Sequence, residues 1–203
     1  MLYISHRERS TKVLGPGLRY VIWLQGCKKN CIGCINPAGR PLDRNGYHIS
    51  IEKLFSEICE TPHLTGITVS GGEPFLQSEE LSKLICLIKK KTQLDVMVYT
   101  GYTFVELQKR NDEAINTILS NIDILVDGEY IEEQNTNTLY RGSDNQVIHF
   151  ISKKYLPFKD KIESAHNRSV EFICRDDGEL FIVGIPIKGF QKYFINNIWE
   201  AKK

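Results

Sequence analysis

Apolar residues along this 203-residue chain fall into two alternating patterns. Short runs rich in β-branched and aromatic side chains, at Arg19 to Gln25, Gly66 to Ser70, Asp95 to Tyr99, Ile122 to Val126 and Val147 to Ile151, read as buried strands. Between them, apolar residues recur at helical spacing. Ile51, Leu54, Phe55, Ile58 and Cys59 follow Ser50, a helix-capping residue, and the pattern ends before Pro62. Leu81, Leu84, Ile85 and Ile88 follow Ser78, with Glu79 and Glu80 in the first turn, where the helix dipole favours acids. Thr103 and Glu106 have the spacing of a capping box, and Ala114, Ile115, Ile118 and Leu119 mark one more helix. Strands alternating with helices predict right-handed βαβ units around a parallel sheet, an α/β fold. Ligands of such sheets gather at the C-terminal ends of the strands. Three polar, glycine-bearing segments fall at such ends: the loop after Gln25, Ser70 to Pro74, and Thr100 to Thr103.

Asp127 to Gln146 is polar and too long for a simple turn, so it reads as a functional or a flexible loop. Farther on, Ser169 to Cys174 and Glu179 to Val183 flank Asp176-Asp177-Gly178, a hairpin signal. The 41% hydrophobic content supplies the core of one domain. Lys and Arg total 26 against 25 Asp and Glu, a balance with no global field for nucleic acid or an anionic membrane, and neither is expected as a partner. MLYISHRERS lacks the apolar run of a signal peptide, and no transmembrane-length apolar stretch follows, so a cytoplasmic location is expected. The six cysteines are clustered rather than spaced as a disulfide framework and read as reduced thiols. Cys59 and Cys86, on predicted apolar helix faces, and Cys174, in a predicted strand, read as core residues.

Cys27, Cys31 and Cys34 have the spacing C-x3-C-x2-C in a long loop of Gly, Asn, Pro, Lys and Arg that runs from residue 26 to 46. Three thiolates there can converge on one inorganic centre, yet they give a four-iron cubane one ligand too few, which leaves an iron open to a small molecule. Structural zinc prefers four ligands, and with no second paired arm it would have to recruit Cys59, His48 or His63. One βα unit later, Gly71-Gly72-Glu73-Pro74 offers two residues without Cβ for close backbone approach and one carboxylate, or else a tight turn with a helix-proximal acid. No G-x-G-x-x-G, Walker motif or G-x-S-x-G accompanies it.

With these motifs in place the chain resembles the radical S-adenosylmethionine superfamily: C-KKN-C-IG-C at 27 to 34 matches its cluster motif and GGEP at 71 to 74 the segment that holds the methionine amino group. Within it, GPGLR at 15 to 19, QGC at 25 to 27, VYTGY at 98 to 102, ILVDGEY at 124 to 130 and RGSDNQ at 141 to 146 resemble the activating-protein family of anaerobic ribonucleoside-triphosphate reductase. The likeness covers about residues 12 to 151.

It implies a partial (β/α)6 barrel of radical S-adenosylmethionine type, residues 1–151 forming the core with its cluster loop at 26–46, while the hairpin signal beyond it makes 152–203 a C-terminal β-hairpin appendage packed on that core. The implied cofactors are a 4Fe-4S cluster on Cys27, Cys31 and Cys34 and S-adenosylmethionine, which is cleaved reductively to a 5'-deoxyadenosyl radical that takes hydrogen from a glycine of a partner. A glycyl radical enzyme, with anaerobic ribonucleotide reductase first, is the implied partner, and reduced flavodoxin or a similar protein the electron donor. Glu73 accepts the ammonium of S-adenosylmethionine, with Gly71 and Gly72 alongside. Thr100 and Tyr102 lie where the family reaches the sugar or adenine, or form a polar loop with a core-edge tyrosine. Asn36 orders the cluster loop or simply a turn before Pro37. Arg141, in a constellation with Ser143, Asn145 and Gln146, meets the cofactor carboxylate or the partner, or is a loop arginine bonded to carbonyls. His149 reads as a core or rim histidine. Two features depart from the wider pattern: Gly33 stands where many superfamily members carry an aromatic, and the tail from Ser152 extends past the compact family, where it could dock a different partner. The competing functions are a radical enzyme acting on another protein, a peptide or a small molecule, and a noncatalytic zinc or iron-sulfur interaction module.

Overall fold

The structure, a computed structural model, describes residues 1–174 and 178–194. Seven strands form the main sheet: β1 (Leu2–Thr11), β2 (Arg19–Leu24), β3 (Tyr47–Ile49), β4 (Gly66–Gly71), β5 (Asp95–Tyr99), β6 (Ile124–Asp127) and β7 (Val147–Phe150), in the spatial order β3-β1-β2-β4-β5-β6-β7. At its centre β2, β4, β5 and β6 run parallel. β1 lies antiparallel between β2 and β3, and β7 closes the other edge antiparallel to β6. The molecule is therefore mixed α/β, with four parallel strands where the resemblance implies six repeated units. β1 and β3 escape the sequence pattern for a physical reason: the second half of β1 is polar and partly exposed, and β3 has three residues, two of them exposed. Among the described residues no helix is long and apolar enough to cross a membrane.

Four helices, α1 (Ile51–Glu60), α2 (Ser78–Lys91), α3 (Phe104–Lys109) and α4 (Glu113–Asn121), cover one face. Ser50 caps α1 by accepting from the Lys53 amide at 3.1 Å, and the Thr103–Glu106 capping box opens α3. Leu54, Ile58, Leu84, Ile85 and Ile118 pack there on Tyr20, Ile22, Val69 and Val98. Cys59 and Cys86 lie just outside these stripes and are exposed, as is Cys174, which corrects their reading as core residues. Helical rotation of about 100° per residue carries Cys59 and Cys86 beyond the buried arc, while Cys174 ends a strand in which no residue is fully buried.

Strand alternation sends Arg19, Val21, Trp23, Asp95, Met97 and Tyr99 to the opposite face, and described residues between 155 and 185 cover it. Tyr155 and Ile162 pack with Met97, Ile124 and Val126, while Val183, Ile173 and Ile185 pack with Leu14 and Val21. β8 (Val170–Cys174) and β9 (Leu180–Gly184) pair antiparallel in this cover. Asp176 and Asp177 of the expected turn lie outside the described residues.

A buried ion pair pins the cover to the sheet at the end away from the cysteines. The fully buried Arg19 guanidinium lies 2.7 Å from the Asp95 carboxylate and donates to Thr68 Oγ1 at 2.6 Å. Lys154 Nζ and the Tyr155 hydroxyl donate to Asp95 Oδ2 at 2.8 and 2.6 Å. Burial raises the Asp95 pKa, but Arg19, Lys154 and Tyr155 outweigh it and hold the carboxyl below its ordinary value. Because the folded value is depressed, this stabilisation is present above about pH 4, the range of an unfolded aspartate, and is lost as pH falls toward the folded value. Asp95→Ala leaves Arg19 buried without its counter-charge and is expected to cost about 3–5 kcal/mol in urea unfolding. Asp95→Asn should flatten the acid limb of the stability profile measured by the same method.

Candidate functional site

The parallel strands end at one rim. There Trp23, Ser70 and Tyr99, on the tail-covered face, line a cavity of about 330 Å³ together with Cys27, Cys31, Cys34, Gly71, Gly72, Glu73 and Thr100. That volume lies in the range of small-molecule and cofactor sites.

Backbone contacts set the cysteine loop. The Gly72 amide donates to Leu24 O at 2.7 Å and the Glu73 amide to Gly26 O at 2.8 Å, while Gly26 and Cys27 amides donate to Gly39 O and Arg40 O at 2.8 and 2.9 Å. A Cβ on Gly72 would stand 2.2 Å from Gly26 O, and one on Gly71, whose φ is +116°, would stand 2.3 Å from the Leu24 nitrogen. The close approach that the two glycines permit is thus that of the chain's own cysteine loop, with both residues still facing the cavity. Gln25 steadies the loop from within by donating to Ala38 O and Pro41 O at 3.2 and 2.7 Å. Asn36 caps a short turn at Pro37–Gly39, accepting from the Gly39 amide at 3.1 Å, and is not part of the cavity lining.

Cys27 Sγ accepts from the Lys29 amide at 3.3 Å. Burial pushes the Cys27 and Cys31 thiols up, so a cation must offset the cost of their ionised forms. Groups so placed suit metal ligands better than free nucleophiles. Among the described residues no three Cys, His, Asp or Glu side chains are gathered tightly enough to hold one ion. Thiolates sharing a zinc stand about 3.8 Å apart, from its bond length of about 2.3 Å, whereas a cubane takes each thiolate on a separate iron and needs wider spacing. Cys59, His48 and His63, the recruits a zinc site would need, are exposed and outside the lining.

Glu73 is buried, 1% exposed. Its Oε1 accepts from the Phe75 amide at 3.0 Å and from Thr100 Oγ1 at 2.9 Å, and its Oε2 from the Gly101 amide at 2.8 Å. A carboxylate has about four acceptor sites, so one remains for a ligand's ammonium. Burial raises its pKa, and these donors oppose that rise.

The other candidates are placed differently. Tyr102 lies outside the lining, its ring between Lys29 Nζ at 4.5 Å and the Arg110 guanidinium at 3.7 Å. Arg141 also lies outside, donating to Gln146 O at 3.1 Å and pairing with Asp144 at 3.5 Å. His149 Nε2 sits 2.9 Å from Asp127 Oδ2, with its ring against Phe104. Sequence reasoning did not single out Tyr130, Glu132, Asn135 or the segment from Gly184 to Phe190, all of which line the cavity. The first three sit in the long polar loop, whose length was the available signal; Gly184 to Phe190 gave none. The φ of +73° at Gly33, a left-handed conformation that favours glycine, accounts for the absence of a larger residue there.

Residues 13–149 match the model of the 4Fe-4S single cluster domain family. The anaerobic ribonucleoside-triphosphate reductase-activating protein of Vibrio cholerae is 36% identical over 146 residues, 68% of this chain and 90% of the relative. Its counterpart from Enterobacteria phage T4 is 32% identical over 142 residues, 67% and 86%. The pyruvate formate-lyase-activating enzyme of Staphylococcus aureus is 30% identical over 154 residues, 68% and 57%. The chain belongs to the 4Fe-4S single-cluster family and, within it, to the radical S-adenosylmethionine activases.

Gly72→Ala forces a methyl into Gly26 O and is expected to cost about 1–3 kcal/mol. Iron and sulfide retained after anaerobic reconstitution should fall with it, because the displaced backbone carries Cys27.

Proposed function

We propose that this chain binds a 4Fe-4S cluster through Cys27, Cys31 and Cys34, cleaves S-adenosylmethionine reductively, and installs a glycyl radical on anaerobic ribonucleotide reductase. The observation that carries the reading is the meeting of three thiols and one buried, hydrogen-bonded carboxylate around a single cofactor-sized cavity. Near-complete coverage of the reductase-activating relatives, against 57% of the pyruvate formate-lyase-activating one, favours the reductase as partner.

When bound, the cluster and S-adenosylmethionine supply one-electron cleavage of a carbon-sulfur bond and hydrogen abstraction from the partner's glycine. The protein's work is placement. Glu73 takes the ammonium in a charge-assisted hydrogen bond, pre-oriented by Phe75, Gly101 and Thr100. Gly71 and Gly72 hold the cysteine loop against that carboxylate. Asn36, Tyr102 and Arg141 act from behind the wall, in turn ordering the loop, bracing Lys29 and supporting Gln146. We read the sheet as a partial barrel with the cavity on its inner face, residues 1–151 as the core, and 152–203 as a hairpin-bearing appendage packed on it. A reduced flavodoxin or similar donor would reach the cysteine loop from outside, where Ile32 is 81% exposed beside the exposed Lys28. Reduced thiols and this cofactor chemistry fit a cytoplasmic setting.

Cys31→Ala is expected to abolish cluster absorbance and 5'-deoxyadenosine formation together. Glu73→Gln should keep the cluster yet weaken binding of S-adenosylmethionine about 10- to 100-fold, the worth of one hydrogen bond to a charged group. The decisive experiment mixes the reconstituted, reduced protein with an anaerobic ribonucleotide reductase and looks for a glycyl radical by electron paramagnetic resonance. Cofactor cleavage without that signal would overturn the partner; a wild-type protein that forms no 5'-deoxyadenosine would overturn the chemistry.

A further inference from the structure

Residues beyond 149 lie outside the family match, yet Gly184 to Phe190 form one wall of the cavity. What holds them there is Arg168. Its guanidinium makes five hydrogen bonds, as many as it has N–H groups. Nε donates to Thr138 O at 2.8 Å, Nη1 to Asn135 Oδ1 at 2.9 Å and Pro186 O at 3.0 Å, and Nη2 to Gly142 O at 3.1 Å and to Arg141 O. One planar group therefore ties the polar loop of residues 135–142 to the terminal segment at Pro186. Both joined segments line the cavity, through Asn135 and Gly142 on one side and Ile185 to Lys188 on the other.

The clamp reaches the cavity directly. Asn135 accepts from Arg168 and donates through Nδ2 to the Tyr130 hydroxyl at 3.1 Å, and Tyr130 is itself a lining residue. A second tie, the Lys188 amide to Asn137 Oδ1 at 3.0 Å, runs parallel to it. Ile187 stays 52% exposed while lining the cavity, apolar area that the chain leaves uncovered on that side.

We propose that Arg168 is a positioning residue that holds Ile185 to Lys188 as a closing wall over bound S-adenosylmethionine. The inference rests on the cofactor reading above and adds a contact that the matched family region does not contain. A wall of this kind excludes water from the ligand and strengthens the polar contacts made at Glu73. Lysine is no substitute, since three donors radiating from one nitrogen cannot span the five acceptors.

The test uses the full-length protein, reconstituted anaerobically, as wild type, Arg168→Lys, Arg168→Met and Ile187→Ser. Dissociation constants are measured for S-adenosylhomocysteine, which binds without being cleaved, and kcat and KM for cleavage of S-adenosylmethionine. Both Arg168 variants should bind about tenfold more weakly, and Ile187→Ser about threefold, with KM rising and kcat held within about twofold. Wild-type affinity in Arg168→Lys or in Ile187→Ser, at normal iron content, overturns the proposal. Should Arg168→Met fail to fold, the other two variants still decide it, because lysine keeps the charge and Ile187 is half exposed. A wild-type protein that loads no cluster or binds no S-adenosylhomocysteine instead overturns the cofactor reading itself.

Discussion

The site depends on a backbone seam where two parallel strands end. β2 and β4 pair from Arg19 with Gly66 to Leu24 with Gly71, and the pairing continues past both strands as Gly72 donates to Leu24 and Glu73 to Gly26. Two residues without Cβ are needed, because either Cβ would fall inside backbone atoms of the facing strand or loop. The seam brings the residue before the first cysteine against the residue that carries the carboxylate. Glu73 then reaches across to the end of β5 through Thr100 and Gly101, so one residue ties three strand ends, β2 through its amide and β5 through its buried side chain. Leaving any of those buried donors unmet would cost on the order of 1–3 kcal/mol, which makes the carboxylate structural as well as ligand-facing.

Central parallel strands need cover on both faces. Helices provide it on one side, and on the other the cover comes from a part of the chain that the family match does not reach. The uncovered face would expose Val21, Met97, Ile124 and Val126, all essentially buried here. The tail-covered face is thus divided along its strands. Its lower end is filled by Arg19, Asp95, Tyr155 and Ile162, and its upper end stays open as the cavity beneath Ile185 to Lys188.

Local pattern made the central strands, the caps at Ser50 and Thr103, and the cysteine and GGEP motifs legible, since each is written within a few residues. Burial of Arg19 was not legible. At the head of an apolar run an arginine looks like a flanking charge, and only the remote Asp95 makes its burial tolerable. Arg168 was hidden for the same reason, because its acceptors are mostly carbonyls, which sequence does not distinguish. Cys59 and Cys86 erred by a fraction of a helical turn, a precision that an apolar stripe does not carry. Tyr102 and Arg141 fell in motif segments that do reach the rim, yet each side chain turns to brace a neighbour while Thr100 and Gly142 face the cavity.

Shared chemistry and particular access separate along the chain. Residues 13–149 contain the thiols, the carboxylate and the seam that registers them. What meets that cofactor from above is shaped by the loop of residues 128–146 and by the terminal segment clamped to it. On the proposed reading a glycine on a partner protein approaches through the mouth those two segments bound, and one of them lies outside the region that the family model matches. On the proposed reading, changes in the terminal segment alter which polypeptide can enter without touching the seam at Gly72. The seam at Gly72 fixes the thiols and the carboxylate, while the terminal wall held by Arg168 bears both on the bound cofactor and on whatever approaches it, so a change there is felt at the mouth of the cavity before it is felt at the seam.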